Sequence, residues 1–333
     1  MSRAKFLSKL KARLVFSFVM GACSLGASHA QAQATYPDKP IRLIVGFAPG
    51  GANDIIGRLV AKELTEELEV SVVVENKPGA SSNIGTASVA QAAPDGYTLL
   101  LASLNNAINQ SLYKDLTFDF IRDFAPVALV ATMPNVLVVN AQAPYQSVGE
   151  LVSYGKAHPD VLTFASSGTG TSLHLAGELF QIEAGLDILH VPYRGSALAT
   201  TDLLGGRVDL IFDNVLSALP HINGGKLRPL AITSARPSAA LPDVPTMAAS
   251  GYPKFDVSSW FGVLAPAGTP ANIIEKLNAS VANALQKPEL RKRLEELGAA
   301  AQPLNSQAFG DFIKAQVDSW GTIIKTAGVT TGT

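Results

Sequence analysis

Cysteine is nearly absent from the sequence, since Cys23 is the only one among 333 residues. One cysteine cannot form an intramolecular disulfide, and Cys23 lies in a leader that we expect to be cleaved. The mature chain would then have no thiol nucleophile and no cysteine metal site. Its stability must come from a hydrophobic core, and about 300 residues are long enough to build one, typically as two domains.

Clusters of positive charge are missing beyond the first 13 residues. The chain carries 26 basic and 27 acidic residues, and loss of the leader removes five basic residues and no acidic ones, leaving a net charge of −6. Neither a basic block nor aromatic residues interleaved with Arg or Lys can be found. This pattern excludes a nucleic-acid-binding surface.

Apolar runs long enough to span a membrane, roughly 20 residues, are also missing. The run Leu14 to Leu25 follows a basic start and precedes Ala-x-Ala triplets that allow cleavage after Ala30, Ala32 or Ala34. This order is typical of a secretory signal peptide, so we expect residues 1–34 to be removed and the protein to reach the periplasm. A weak lipobox at 20–23 leaves open a lipid-anchored Cys23.

Motifs of common catalytic sites are absent as well. The turn Gly46 to Asp54 lacks the Lys-Ser/Thr of a phosphate-binding loop, and Gly168-Thr169-Gly170 lacks the third glycine of a dinucleotide site. No Gly-x-Ser-x-Gly elbow occurs. His158, His190 and His221 lack metal-ligand spacing and are expected on the surface or in the core. The sequence therefore predicts no cofactor, no metal and no catalysis.

The stretch that organises the chain is the turn Gly46 to Asp54. An apolar strand, Ile41 to Val45, precedes it, and apolar residues at helical spacing follow it. One interpretation is an anion site, in which helix N-terminal amides hold the guest because the turn contains no Lys or Arg. The other is a tight turn in which Asn53 or Asp54 only caps the helix.

Strand, polar turn and helix then recur. Strands are predicted at Val70 to Val74 and Tyr97 to Ala102, with polar turns at Pro78–Asn83 and Ser103–Asn106. Such repetition favours a parallel sheet with right-handed crossovers, in which ligands sit beyond the carboxyl ends of the strands. We expect these turns to line one edge together with the Gly46 turn.

Two apolar runs, Pro126 to Thr132 and Val136 to Val139, are separated by Met133-Pro134-Asn135, which we interpret as the passage into a second domain. The alternation then resumes until a return strand at Val257 to Ala265. The predicted domains are residues 35–137 with 256–333, and 138–255. Two α/β lobes joined by a hinge, with a ligand cleft between them, follow from this arrangement. The further strands are predicted at Leu162 to Ala165, Ile188 to Val191, Val208 to Phe212 and Arg228 to Thr233.

Three side chains in the second half are ambiguous. His174 lies one turn into a helix after a polar loop and is the best candidate among the histidines. Arg194 could bind a carboxylate or phosphate, or pair with a neighbouring aspartate on the surface. Asp213, with Asn214, could orient a polar ligand group or cap the next helix.

Six motifs resemble the substrate-binding receptors of tripartite tricarboxylate transporters, the Bug family. The resemblance runs in register from about residue 36 to 325. The motifs are Tyr36-Pro37-x-Lys39-Pro40-Ile41-Arg42, Pro49-Gly50-Gly51-x-x-Asp54, Glu75-Asn76-Lys77-Pro78-Gly79-Ala80, Ala93-Pro94-Asp95-Gly96-Tyr97-Thr98-Leu99-Leu100, His190-Val191-Pro192-Tyr193-Arg194-Gly195 and Trp260-Phe261-Gly262-x-x-Ala265-Pro266-Ala267-Gly268-Thr269-Pro270.

The resemblance implies a type II periplasmic binding fold and a receptor that delivers a small carboxylate to two membrane subunits. It also implies that two loops, Gly46–Asp54 and Ser166–Ser172, pinch a carboxylate through backbone amides and water. Ser81-Ser82 departs from the Gly-Gly that is common in the family, which leaves the ligand open. The expected ligand-binding residues are Phe47, Pro49, Gly50, Gly51, Asn53, Asp54, Ser81, Ser82, Asn83, Ser103, Asn105, Ser167, Gly168, Thr169, Gly170, Thr171, Ser172, His174, Tyr193, Arg194 and Asp213.

Two other functions remain open on the sequence. One is a cleft enzyme that acts on a carboxylated small molecule, and the other is a receptor that signals to a sensor kinase. Turnover of the bound molecule would identify the enzyme, because a receptor releases its ligand unchanged. We expect a monomer in every case.

Overall fold

A computed structural model describes residues 36–253 and 255–330. The predicted signal peptide, its cleavage sites and Cys23 lie outside the described residues. From Lys39 onward the described chain forms one compact unit, to which everything below refers. Within the described part of the chain, no helix is both long enough and apolar enough to cross a membrane.

The described residues form ten strands and ten α-helices that mostly alternate along the chain. The strands are β1 (Ile41–Val45), β2 (Val72–Asn76), β3 (Thr98–Ser103), β4 (Phe124–Asn140), β5 (Thr163–Ser166), β6 (Leu189–Pro192), β7 (Leu210–Asn214), β8 (Leu227–Ile232), β9 (Ser258–Pro266) and β10 (Ala300–Leu304). The helices are α1 (Ala52–Leu68), α2 (Asn83–Ala90), α3 (Leu104–Leu112), α4 (Val148–Ala157), α5 (Ser172–Ala184), α6 (Ser196–Leu204), α7 (Val215–Asn223), α8 (Ala271–Ala284), α9 (Pro288–Glu296) and α10 (Ser306–Ala327).

The strands are ordered β2-β1-β3-β9-β4-β7-β5-β6, with β8 and β10 also paired to β4. Strand β1 pairs in parallel with β2 and β3, and β5 pairs in parallel with β6 and β7. Strands β4 and β9 run antiparallel to their neighbours. The predicted parallel triplet is therefore confirmed, and the two crossing strands join it to the second parallel group.

Burial explains why the central strands read as continuous apolar runs. Ile41, Leu43, Ile44 and Val45 of β1 are all fully buried. Strand β3 is equally apolar over 99–102, where helices cover both faces of the sheet. Parallel strands buried on both faces lose the polar alternation of an exposed sheet. The sequence signal for these strands was accordingly strong.

The predicted break at Met133-Pro134-Asn135 is wrong, because β4 runs without interruption from Phe124 to Asn140. Pro134 lies where β4 changes partner, from β9 on one side to β7 and β8 on the other. Proline has no N–H to donate to a neighbouring strand. Pro134 lies where the pairing with β9 ends and the pairing with β7 begins, and a strand tolerates proline at such a position. The chain passes between the two groups of strands within one extended strand.

Strand β10 and helix α6 were not predicted. Strand β10 is short and exposed, and it contains Pro303, so its composition reads as a loop. Helix α6 begins directly after Gly195 and carries three threonine and serine residues, which disfavour a helix by propensity alone. Contacts with the sheet stabilise it, since Ala199 and Leu203 are fully buried.

Thr233 holds the chain where β8 ends beside β4. Its buried hydroxyl accepts the N–H of Asn135 at 2.9 Å and lies 2.9 Å and 2.5 Å from the carbonyls of Asn135 and Val257, to one of which it donates. The side chain therefore connects β4 to the segment that enters β9.

The substitution Thr233→Val should lower the free energy of unfolding by about 2 kcal/mol, because the isosteric side chain leaves a buried N–H and carbonyl without partners. Urea denaturation measures this. Thr201→Val is the matched control, since the Thr201 hydroxyl bonds only to a carbonyl on an exposed face of α6; it should change the value by less than about 0.5 kcal/mol. Equal effects of the two substitutions would contradict this role for Thr233.

Candidate functional site

The residues predicted to bind a ligand lie at the carboxyl ends of the parallel strands or in the first turns of the helices that follow. In the first group of strands they follow β1, β2 and β3, and in the second group they follow β5 and β6 or end β7. In the parallel parts of an α/β sheet, this edge is where ligands bind. The two groups run in opposite directions about β4 and β9, so the structure makes residues from six separate sequence positions face one another at the carboxyl ends of the two groups.

Helix α1 begins with an open N-terminus. Gly51 is its N-cap, so the alternative in which Asn53 or Asp54 caps the helix is wrong. The first N–H bonded within the helix is that of Ile55, and the N–H groups of Ala52, Asn53 and Asp54 have no acceptor. Because the helix dipole adds to these free donors, the position favours an anion.

Asp54 fixes the turn rather than facing an open space. Its carboxylate accepts the N–H of Gly50 at 3.0 Å, the amide of Asn76 at 3.0 Å and the guanidinium of Arg58 at 2.9 Å and 3.0 Å. Asn76 also donates to the carbonyl of Phe47. Burial raises the pKa of Asp54, but hydrogen bonds from Arg58, Gly50 and Asn76 outweigh it, and the net pKa is lowered. Asp54 thus stays ionised and neutralises Arg58.

The Ser81-Ser82 segment has an unusual backbone. Ser81 and Ser82 have φ of 51° and 80°, in the left-handed region that glycine adopts most easily. The Gly-Gly that the family resemblance implies at these positions would adopt this conformation without strain. Ser82 also lies so close to Gly46 that a Cβ on Gly46 would come within 2.0 Å of the Ser82 hydroxyl. Strained non-glycine residues of this kind cluster at functional sites.

The loop between β5 and α5 uses most of its own amides internally. The N–H of Gly168 bonds the Ser166 hydroxyl, and that of Thr171 bonds the Gly168 carbonyl. The N–H of Gly170 donates to Nδ1 of His174 at 3.1 Å. Ser167 and Thr169 are different, because their N–H groups have no acceptor. Of the expected amide donors in this loop, these two therefore remain available.

Two stacked histidines support the same loop. The rings of His174 and His190 lie 4.0 Å apart, and Nε2 of His190 lies 2.7 Å from the Ser166 hydroxyl. Burial, together with the neighbouring His174, lowers the pKa of His190 to about 3, so this ring is neutral. Because Nδ1 of His174 accepts from Gly170, its Nε2 carries the proton and faces Glu178 at 3.3 Å. Both rings position the loop.

Loops from the two groups of strands touch across the cleft. The hydroxyl of Ser81 donates to the carbonyl of Thr169 at 3.1 Å. The N–H of Ser172 donates to Oδ1 of Asn105 at 2.9 Å. The two polar turns predicted on opposite lobes are thus in direct contact, and Gly46, which begins the turn before α1, packs against Ser82.

The sequence analysis missed a polar cluster where β4, β7 and β9 cross. Nδ2 of Asn214 donates to Oδ1 of Asn135 at 2.6 Å and to the Ser259 hydroxyl at 3.0 Å, and Ser259 lies 3.4 Å from the Ser172 hydroxyl. Asn135 is fully buried, yet its Nδ2 has no acceptor. Buried polar atoms normally have partners, so an unpaired one marks a position where another group can bind. Asparagine inside an apolar run was the available signal.

Further unpaired polar atoms surround the cleft in the described residues. They are Oδ1 of Asn53, the hydroxyl of Ser103 and Oδ1 of Asn109. Ser103 ends β3 and forms a capping box with Asn106: its N–H donates to Oδ1 of Asn106 and its side-chain oxygen faces the Asn106 N–H, while the hydroxyl proton has no acceptor. The cleft therefore combines amide donors with uncharged polar side chains.

Three predicted residues are not joined to this cluster. Arg194 is exposed and makes no ion pair with another described residue, so the alternative of a surface pair with an aspartate is not found. The Tyr193 hydroxyl donates to Asp202 at 2.6 Å. Asp213 is buried against α6, where its carboxyl accepts from Thr200 at 3.1 Å and from the N–H of Asn214 at 2.8 Å. Within residues 36–253 and 255–330, no three metal-ligating side chains cluster.

Comparison with known proteins decides the family. A family model described as the tripartite tricarboxylate transporter family receptor matches residues 56–329. Protein BugT of Bordetella pertussis is 40% identical over 296 residues, which cover 88% of this chain and 91% of BugT. This chain belongs to the tripartite tricarboxylate transporter receptor family.

Solved structures agree with the assignment. An R. palustris protein solved with adipate has a TM-score of 0.85 and 37% identity, over 89% of this chain and 99% of that one. MatC from Rhodopseudomonas palustris, solved with bound malate, has a TM-score of 0.81 and 32% identity, over 87% and 100%. The fold of this receptor is the α/β periplasmic-binding-protein fold, and the family consists of receptors rather than enzymes.

Asp213 gives this receptor a pH-dependent stability. Burial raises the pKa of Asp213 from 3.8 to about 7, since only two hydrogen bonds and no cation stabilise its charge. A folded-state pKa above the unfolded one means that the proton stabilises the native state. That contribution is complete below pH 4 and is lost as the pH rises through 7.

The substitution Asp213→Asn should therefore stabilise the receptor relative to the wild type as the pH rises from 4.5 to 8, by at most about 4 kcal/mol. Asparagine keeps the shape and both hydrogen bonds, because the Thr200 hydroxyl can reverse its role. Urea denaturation at each pH measures the difference. Parallel pH dependences of the two proteins would contradict a raised pKa.

Proposed function

We propose that this receptor is a periplasmic protein that captures a small organic carboxylate and passes it unchanged to the membrane subunits of a tripartite transporter. The observation that carries the proposal is the open N-terminus of α1. Three consecutive free N–H groups face a cleft whose neighbouring cation, Arg58, is already paired with Asp54. Such a site binds an anion through backbone donors.

The carboxylate is held from both sides of the cleft. The N–H groups of 52–54 and the hydroxyl of Ser103 supply donors on the side of β1 and β3. The N–H of Thr169 supplies one on the opposite side. Water molecules that bridge the protein and the carboxylate can supply the remaining hydrogen bonds at little cost in affinity. The resemblance to the family implies such water-mediated contacts.

The domain division follows from the same geometry. We assign residues 35–137 with 256–333 to one lobe and 138–255 to the other, with β4 and β9 as the hinge strands. Strand β4 supports this division, because its first half pairs with β9 and its second half with β7 and β8. Bending of the two crossing strands would open the contacts between Ser81 and Thr169.

The remainder of the ligand meets polar groups rather than a charged pocket. Nδ2 of Asn135 is the buried donor closest in the fold to the Ser172 turn, through Ser259. Arg194 is the exposed cation of the loop that follows β6. A ligand with a second acidic group could use Arg194, whereas a hydroxylated one could use Asn135. Malate and adipate, found in the two related structures, are thus reasonable first ligands to test.

Location and partners follow from the assigned family. A predicted signal peptide and periplasmic relatives support export to the periplasm. The family model names a tripartite transporter, which supports membrane subunits as partners. A monomer stays a prediction.

The first experiment is a thermal-shift screen of dicarboxylates, hydroxy acids, acidic amino acids and aromatic acids. A ligand at 100 times its dissociation constant should add about 2.7 kcal/mol of stability. Mass spectrometry of the bound molecule after equilibrium dialysis then tests for turnover. Recovery of a chemically altered molecule would refute the receptor function.

The substitution Gly51→Val should abolish this stabilisation without unfolding the protein. Gly51 has φ −84°, and a Cβ there meets no atom within 4 Å, so the fold accepts valine while the side chain projects in front of the α1 amides. Gly149→Val is the matched control, because Gly149 is an exposed residue in the first turn of α4. Calorimetric titration should show binding by the control only. Unchanged affinity of the Gly51 variant would remove this turn from the site.

Arg194 separates mono- from dicarboxylates. Arg194→Ala should weaken binding of adipate up to about fivefold and leave the binding of hexanoate unchanged, because an exposed ion pair is worth roughly 0.2–1 kcal/mol. Arg194→Lys keeps the charge and serves as the control. Equal losses for the two acids would show that Arg194 does not contact the second carboxylate.

A further inference from the structure

The two proposed hinge strands, β4 and β9, turn one face towards the cleft and the opposite face towards a different part of the protein. Met133 of β4 pairs with Ser259 of β9, and the flanking pairs are Thr132 with Trp260 and Pro134 with Ser258. Paired residues share a face, and successive residues alternate between faces. Ser259 and Asn135 therefore face the cleft, where they bond Asn214, and the flanking pairs face the other way.

A second cavity of about 750 Å³ lies on that other face. Its walls come from both lobes: from β4 and β9, from the segment 234–240 after β8, and from α10 and the approach to β10. Small-molecule sites usually enclose 300–1,000 Å³ with a mainly apolar lining. The apolar part of this lining is formed by Pro134, Trp260, Phe312, Trp320 and Ile323.

The chemistry of the lining limits what can bind. Trp260 is buried and its indole nitrogen is not accessible, so the ring contributes an apolar wall to the cavity and no donor. Among the described residues, the charged members of the lining are Arg236, Asp256 and Glu295, which carry a net charge of −1. This balance disfavours the anions that suit the cleft. An uncharged ring fits the apolar walls.

We propose that this rear cavity is a second binding site, for an uncharged, ring-sized molecule. The cavity is open in the same conformation in which Ser81 touches Thr169 and Asn105 touches Ser172 across the cleft. Because the two sites lie on opposite faces of the hinge strands, rotation that opens the cleft narrows the rear cavity. An occupant of the rear cavity therefore stabilises the closed cleft and strengthens carboxylate binding.

The two tryptophans of the chain, Trp260 and Trp320, both line this cavity, which makes detection specific. Cyclohexanone serves as the probe, titrated into ¹⁵N-labelled full-length mature protein without any carboxylate. A spectrum of the Trp320→Phe variant assigns the two indole N–H signals. Both indole signals should shift and saturate as the probe fills the cavity, because both rings line it. A small, linear and unsaturable drift of both signals would overturn the proposal.

Two variants on one helix provide the matched pair. Ser319 of α10 lines the cavity and is exposed, so Ser319→Phe fills the space and should weaken cyclohexanone binding by about tenfold or more. Thr322 of the same helix is exposed and lies outside the lining, so Thr322→Phe should leave cyclohexanone binding unchanged. Loss of binding in neither variant, or equally in both, would place the probe elsewhere and refute the site.

The coupling between the sites rests on the proposed carboxylate function, whereas the cyclohexanone titration does not. With adipate as the carboxylate probe, saturating cyclohexanone should lower the adipate dissociation constant about fivefold, and saturating adipate should lower that of cyclohexanone by the same factor. Unchanged constants in proteins that bind both probes would refute the coupling. If adipate and the other acids fail to bind at all, the carboxylate function is refuted while the titration still decides on the rear site.

Discussion

The cleft depends on one ionised side chain, Asp54, which accepts hydrogen bonds from the turn before α1 and from strand β2 at the same time. Its charge is balanced by Arg58, so the turn is held without leaving a free cation beside the helix N-terminus. A basic residue there would bind anions by charge alone and would discriminate little between them. Backbone donors instead demand an acceptor in a defined position, which suits selection by shape.

A second constraint comes from the crossing strands. Successive side chains of β4 and β9 point to opposite faces of these strands. Asn135 and Ser259 therefore face the cleft, whereas Trp260 faces the rear cavity. Tight pairing in the ladder keeps these faces in register. Thr233 bonds β4 to the segment that enters β9, so the two crossing strands are tied together beside the cleft.

Prediction from the sequence succeeded where the signal was local and strong. Strand β3 has a continuous apolar run and β1 is apolar apart from Arg42, and the polar turns that follow them carry glycine, serine and asparagine, so their position at one edge could be inferred. It failed at β4, where Pro134 looked like a break but lies at a change of partner strand. It also missed Asn135, since the significance of that residue depends on β7 and β9, which are 79 and 124 residues away in sequence.

The expected amide site was only partly predictable for the same reason. Glycine and threonine at 168–171 suggested free backbone donors. Several of those N–H groups are already hydrogen-bonded, to the side chains of His174 and Ser166 and to a carbonyl within the loop. Sequence pattern identifies where backbone donors are accessible in principle, whereas their availability depends on side chains that arrive from the following helix and the next strand. In α1 no side chain competes, because the N-cap is Gly51. The absence of a side chain at position 51 is therefore the reason we propose the α1 terminus, rather than the loop opposite, as the principal anchor for an anion.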